Sequence, residues 1–134
     1  MPNGFQGSGD EWRRMEAPYI RIDPILTRFA TRHALELHKN YRDADRSLGW
    51  NNGVSRTIWI ASMENDGASG TYQVSIVAHH DRGSTRHMKQ GIVADGVGID
   101  ELDETLERAR RILASWSESD LHPVRPGGEV SEKL

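Results

Sequence analysis

Residues 71–95 read TYQVSIVAHH, then DRGST, then RHMKQGIVAD. In the first ten residues, the even-numbered positions from Tyr72 to Ala78 are apolar and the odd-numbered ones are mostly polar, which is the pattern of a half-buried β-strand. The last ten residues repeat the alternation more weakly, with Met88, Ile92 and Ala94 on one parity. Because the five residues between the two runs are typical of a turn, this stretch predicts an antiparallel hairpin.

The register of this hairpin follows from the two apolar sets. If both sets face one core, the numbers of paired residues must add to an even value, because a slip of one residue turns a strand inside out. A loop centred on Gly83 then predicts that Ala78 lies opposite Met88. The same register predicts that His79 lies opposite His87 on the outer face of the sheet.

A third strand is predicted over residues 54–63, which are rich in β-branched and aromatic side chains. The turn-rich residues 64–70 connect it to the hairpin, so the sequence predicts a three-stranded antiparallel meander. Both parities of this strand carry bulky apolar residues, and Ile58 and Ile60 compete with Trp59 for the core. If the isoleucines are buried, Trp59 lies on the opposite face of the sheet.

Two amphipathic helices are predicted to flank the strands. Asp23 and Pro24 supply an N-cap acceptor and a proline at the first helical position. The first helix is then predicted to reach residues 43–47, before the turn-rich residues 48–53, on an apolar stripe of Leu26, Phe29, Ala30, His33, Leu37 and Tyr41. The last helix is predicted from a narrower apolar seam of Ile99, Leu102, Leu106, Ala109, Leu113 and Trp116.

These elements predict an α+β fold with the order α-β-β-β-α, in which a three-stranded meander carries both helices on one face. Residues 18–117 are predicted to form the single domain. Residues 1–17 and 118–134 are predicted to be flexible tails, because they are rich in glycine, proline and acidic residues and poor in apolar side chains. No apolar run approaches the roughly 18–20 residues that a membrane span needs, so no membrane partner is expected.

The composition narrows the functional classes. The chain has 134 residues, 17 basic and 20 acidic side chains, a net charge of −3 and no cysteine. The lack of cysteine excludes disulfides, a thiolate nucleophile and cysteine-ligated metals, and it suits a cytoplasmic location. The sequence contains no nucleophile elbow, and its acidic clusters and glycine-rich turns are explained by their structural roles. It therefore predicts a protein without enzymatic activity or a cofactor.

The sequence therefore favours a small non-catalytic protein-binding domain of the adaptor, chaperone or immunity-protein kind. Its contact is predicted to be the open face of the sheet, or a homodimer that includes the seam of the last helix. An exposed tryptophan on that face is a natural anchor for a partner, because aromatic residues dominate interface energetics. The candidate contact residues are Trp59, His79, Asp81, Arg82, His87 and Lys89.

Two alternatives remain open at this stage. The first is RNA or ribosome association through basic residues predicted on the first helix, namely Arg28, Arg32, Lys39 and Arg42. The predicted order α-β-β-β-α resembles that of double-stranded-RNA-binding domains, but those domains place lysines at the start of the last helix. Here that helix begins with Asp100, Glu101, Asp103 and Glu104, which makes nucleic acid a less favoured partner.

The second alternative is a metal or small-molecule site at His79, His80 and His87. Two of these histidines, His79 and His87, are predicted to face each other across the hairpin. A metal site needs three or four converging ligands, and the sequence does not indicate an obvious third one. No metal ligand is therefore assigned.

Overall fold

The computed structural model describes residues 16–40, 45–63, 70–124 and 132–134. Residues 16–20 are helical (α1), and two longer helices follow, α2 at Asp23–His33 and α3 at Ile99–Ser115, with a 3₁₀ turn at Glu118–Asp120. The strands are β1 Glu36–Asn40, β2 Asp45–Asn51, β3 Ser55–Ser62, β4 Tyr72–Arg82, β5 Thr85–Val97, β6 His122–Pro123 and β7 Glu132–Lys133. No helix of these residues is long and apolar enough to cross a bilayer.

The sheet is larger than the predicted three-stranded meander. Strands β1 to β5 are antiparallel neighbours in sequence order, β6 pairs antiparallel with β5, and β7 pairs parallel with β5. The α+β class is confirmed, whereas the α-β-β-β-α order is wrong. The strands predicted over residues 54–63, 71–80 and 86–95 correspond to β3, β4 and β5.

Two of the four additional strands, β1 and β2, come from the segment that was predicted to be the second half of the first helix and a turn. Helix α2 ends at His33 because Ala34 adopts a left-handed conformation (φ 56°), and its N–H bonds to the carbonyl of Ala30. The chain then reverses into β1, where Leu37 pairs with Leu48 of β2. Tyr41, the last residue of the predicted stripe, lies outside the described residues.

Asp23 does not cap α2 as predicted. It is the first helical residue, and its carboxylate accepts hydrogen bonds from Nε and Nη2 of Arg46 in β2, at 2.8 and 3.2 Å. Arg46 is 1% exposed and also donates to both carboxylate oxygens of Glu16. Burial opposes the charge on Arg46, but these hydrogen bonds outweigh it and raise the pKa of the guanidinium. The pairs fasten α1 and α2 to the sheet.

The register of the β4–β5 hairpin differs from the prediction by one residue. Gly83 and Ser84 form a two-residue turn with a positive φ (61°) at Gly83, so Arg82 pairs with Thr85, His80 with His87 and His79 with Met88. A glycine at the first central position is typical of a tight hairpin turn.

The shifted register changes which side chains of β5 are buried. Val93, which is 4% exposed, reaches the core, whereas the predicted core residues Met88 and Ile92 face the opposite side. A bulge in the pairing of residues 72–75 with β5 then shifts the strand, so that Ala94 packs against the core and Val97 is buried.

Both long helices cover one face of the sheet. Helix α3 packs on β3, β4 and β5, and α2 packs on α3 and β1. The predicted seam of α3 is buried from Leu102 to Trp116, although Ile99 remains 38% exposed. Because the seam is used within the chain, it is not available as a dimer interface.

Candidate protein-contact face

The alternation of side chains in β3 places Trp59 on the face opposite the helices. Ile58 and Ile60 are fully buried under the helices, and Trp59 between them is half-buried on the other side. Strand β4 alternates in the same way, with Ile76 and Ala78 inside and Val77 outside. We call the side that carries Trp59 the open face.

The centre of the open face consists of three cross-strand rows that run from β2 to β5. Trp59 lies opposite Ser47 and Ser75, and the row continues to Ile92. The parallel rows on one side contain Thr57 and Val77, and then Ser55 and His79. These twelve residues, called the neutral block below, are Ser47, Gly49, Asn51, Ser55, Thr57, Trp59, Ser75, Val77, His79, Met88, Gln90 and Ile92.

The neutral block contains no aspartate, glutamate, lysine or arginine, although 28% of the chain is charged. Its one titratable side chain is His79, and burial together with the nearby Arg86 lowers the pKa of that imidazole. The ring is therefore neutral at neutral pH. Ser47 is 5% exposed, and most of the other positions are half-buried. Partly exposed sheet positions often carry charged side chains, so their absence from these rows is a specific feature of this surface.

Charged residues border the neutral block. Beyond the row of His79, Asp81 lies opposite Arg86 and accepts a hydrogen bond from its Nε at 3.0 Å, which lowers the pKa of the carboxyl. At the other end, Gln73 donates to Asp95 at 2.8 Å. A charged border around a neutral centre is the arrangement found in protein–protein interfaces.

The structure divides the six predicted contact residues between the two faces. Trp59, His79 and Asp81 lie on the open face. Arg82, His87 and Lys89 have the opposite parity and lie on the helix-covered side, because the register is shifted by one residue.

The three residues on the covered side contact elements of that side. Arg82 Nη2 lies 3.1 Å from Glu118 Oε1, and Lys89 Nζ lies 4.8 Å from the centre of the Trp116 ring. His87 lies opposite His80, and its Nδ1 is buried. These side chains therefore attach the 3₁₀ turn and the end of α3 to the hairpin.

The predicted histidine cluster is divided by the same shift. His79 is on the open face, whereas His80 and His87 are paired on the covered side. His80 contacts the carbonyl of Gly53 through Nδ1 at 3.0 Å and Glu118 through Nε2 at 3.2 Å. Within the described ranges, no three histidine, aspartate or glutamate side chains are placed to hold a metal ion.

The basic residues considered for nucleic acid do not share one helix. Arg28 and Arg32 are on α2, Lys39 is in β1, and Arg42 lies outside the described residues. Arg32 bonds to Glu107 at 3.0 Å, and Lys39 Nζ lies 3.6 Å from Asp23. These carboxylates reduce the positive potential that a phosphate backbone would meet.

Part of the open face comes from strands that the sequence did not predict. Ser47, Gly49 and Asn51 belong to β2, and with β1 and β3 they line an open groove of about 500 Å³ that covers the β2 end of the neutral block. Gly49 is closely approached, since a Cβ there would lie 3.2 Å from the carbonyl oxygen of Arg56. A glycine inside a strand can mark such an approach. Gly49 was therefore a signal in the sequence that part of residues 48–53 forms a strand.

The neutral block offers hydroxyl groups, amides, an indole ring and apolar side chains, with one imidazole. No family model, no curated protein and no solved structure matches this chain. The function is therefore argued from the geometry alone.

Proposed function

We propose that the chain is a non-catalytic protein-binding domain whose contact surface is the open face. The observation that supports this proposal is the neutral block, with Trp59 in the middle of one of its rows. Interface centres are depleted of charge and enriched in aromatic residues and methionine, and the neutral block combines Trp59 with Met88. The partner is a protein surface with a similar uncharged centre, on either a second copy or a different chain.

The size of the neutral block agrees with this role. Strand spacing of about 4.8 Å and a two-residue repeat of about 6.8 Å give it an area of roughly 400 Å². A standard interface takes about 800 Å² from each partner, so the neutral block supplies the centre and its charged border supplies the rim. Asp81 and Arg86 at one end belong to that rim.

The decisive variant is Trp59→Ala, with Ile20→Ala as its matched control. Ile20 is also an accessible apolar side chain, 67% exposed, but it lies in α1 on another surface. Purified chains are compared by light scattering over a range of concentrations for self-association and by quantitative capture from a lysate of the source cells for other partners. A central tryptophan contributes about 2 kcal/mol or more, so Trp59→Ala should weaken the complex at least tenfold while Ile20→Ala leaves it unchanged.

A second variant tests the uncharged character of the surface. Ser75→Lys places a cation directly opposite Trp59 without removing any apolar side chain. It should abolish the same complex, since a desolvated unpaired charge is costly, and thermal unfolding should remain cooperative. The proposal is wrong if both variants bind as the wild type does, or if Ile20→Ala loses as much binding as Trp59→Ala.

A further inference from the structure

The outer edge of β5 is occupied by two short segments that lie end to end. Strand β6 pairs with His87 and Met88, and β7 pairs with Gly91 and Ile92. A strand edge without such partners presents unpaired N–H and C=O groups that can bind another extended chain. The chain thus uses its own residues 132–134 as an added strand.

Three contacts hold this added strand. The backbone N–H of Leu134 donates to the carbonyl of Ile92 at 2.7 Å, and Lys133 Nζ lies 3.3 Å from Asp95 Oδ2. The third contact is at Gly91, where an added Cβ would lie 2.5 Å from Cγ of Leu134. The missing side chain of Gly91 therefore forms a notch that the leucine fills.

The contacts match the recognition of peptides by strand addition. In that mode, main-chain hydrogen bonds supply affinity and a side-chain pocket supplies specificity. Here the pocket is the notch at Gly91, and Asp95 adds selection for a cation. Hydrogen bonds from Gln73 and Lys133 lower the pKa of Asp95, so its carboxylate is charged at neutral pH.

We propose that the edge of β5 from Gly91 to Asp95 is a binding site for extended peptides that run parallel to β5 and carry a lysine followed by a leucine. Residues 132–134 are the intramolecular occupant of this site. The site shares Ile92 and Asp95 with the open face and its border. It rests on backbone pairing along the strand edge, so it does not depend on the function proposed for that face.

The intramolecular occupant is attached weakly enough to exchange. Leu134 remains 49% exposed, and the side chain of Lys133 is 67% exposed, so its ion pair adds no more than a few-fold to binding. A tethered segment nevertheless competes at an effective concentration of about 1 mM. An added peptide should therefore bind the wild-type chain poorly and bind a chain with a weakened occupant well.

The test uses a fluorescent, amidated peptide with the sequence of residues 129–134, EVSEKL, and full-length protein. Its binding is measured by anisotropy to the wild type, to Leu134→Asp, and to Leu134→Asp combined with Gly91→Val. We expect Leu134→Asp to bind the peptide at least tenfold more tightly than the wild type does. Gly91→Val should remove that binding, because valine fills the notch while suiting a strand.

Two controls keep the result interpretable. Asp95→Ala in the Leu134→Asp background should weaken the peptide several-fold, and a peptide ending in aspartate should not bind. Circular dichroism and thermal unfolding report whether each variant is folded. The inference is overturned if folded Leu134→Asp protein does not bind EVSEKL, or if folded protein that also carries Gly91→Val or Asp95→Ala binds it equally well.

Discussion

The two faces of the sheet differ in where they carry charge. The helix-covered face includes Arg46, Arg56 and Lys89, whereas the neutral block at the centre of the open face has no charged side chain. Each cation on the covered face has a partner: the carboxylates of Glu16 and Asp23 for Arg46, the Leu113 carbonyl for Arg56, and the Trp116 ring for Lys89. Packing therefore explains the charges of the covered face but not the lack of charge in the neutral block.

Packing constrains the centre of the covered face. Ile58, Ile60 and Val74 are fully buried, and burial lowers the pKa of Arg56 beside them. The open face has no helix over it in the described part of the chain, so solvent tolerates charged side chains there. The uncharged centre is the feature on which the proposed contact rests.

The largest expected effect concerns the buried pairs of the covered face. Arg46→Ala leaves the carboxylates of Glu16 and Asp23 without their guanidinium, and removing one partner of a buried ion pair costs about 3–5 kcal/mol. Urea unfolding measures the loss. Lys39→Ala is the control, because Lys39 also pairs with Asp23 but is 40% exposed, and it should cost at most about 1 kcal/mol. Equal losses for the two variants would show that Arg46 is not the fastening residue.

A smaller effect is expected when the two faces are compared by substitutions at neighbouring positions of β4. Ile76→Ala removes a side chain that is 1% exposed, and we expect a loss of about 2–5 kcal/mol in the free energy of unfolding. Val77→Ala acts on the half-buried open face and should cost about 1 kcal/mol or less. Similar losses at both positions would mean that the open face is covered in solution, as in a dimer, and a concentration-dependent Tm would then identify that state.

The sequence predicted the covered face better in the second half of the chain than in the first. The alternation of Tyr72–Ala78 and the seam of α3 are strong periodic signals. The alternation is confirmed, and the seam is confirmed from Leu102 onward. Around residue 34 the helical spacing continues through His33 and Leu37, yet the chain reverses at Ala34. Alanine is a poor marker of a left-handed helix end, where glycine is usual, so local pattern alone did not reveal the reversal.

The candidate face was predicted in part for a related reason. Trp59 depends only on alternation within β3, and its placement on the open face was one of the two outcomes considered. His79 likewise follows from the alternation of β4, and it lies on the open face. The side on which His87 lies depended on the register between β4 and β5, which a single residue of turn length reverses. Gly83 followed by Ser84 is itself a signal for a two-residue turn. If this signal is preferred to the alternation of apolar residues in β5, the observed pairing is predicted.

The smallest expected effect concerns the contact between the two helices of the covered face. Glu107 of α3 lies 2.6 Å from His33 Nε2 and 3.0 Å from Arg32 Nη1. The hydrogen bond with His33, and then that with Arg32, lowers the pKa of Glu107 below the usual value of a glutamate. A carboxyl whose pKa is lower in the folded chain contributes its full stabilisation above the unfolded pKa and loses it as the pH falls through the folded one.

Glu107→Gln should therefore cost about 1–2 kcal/mol at neutral pH, the usual contribution of a hydrogen bond to a charged group. The difference from the wild type should begin to shrink as the pH falls below the usual glutamate pKa of about 4.3, and it should vanish once the pH has passed through the lower pKa of the folded chain. Urea unfolding over this pH range measures it, with Glu104→Gln as a control because Glu104 is exposed on the same helix. If Glu104→Gln reproduces the pH profile of Glu107→Gln, general helix charge rather than the pairing of α2 with α3 determines the acid sensitivity of the covered face.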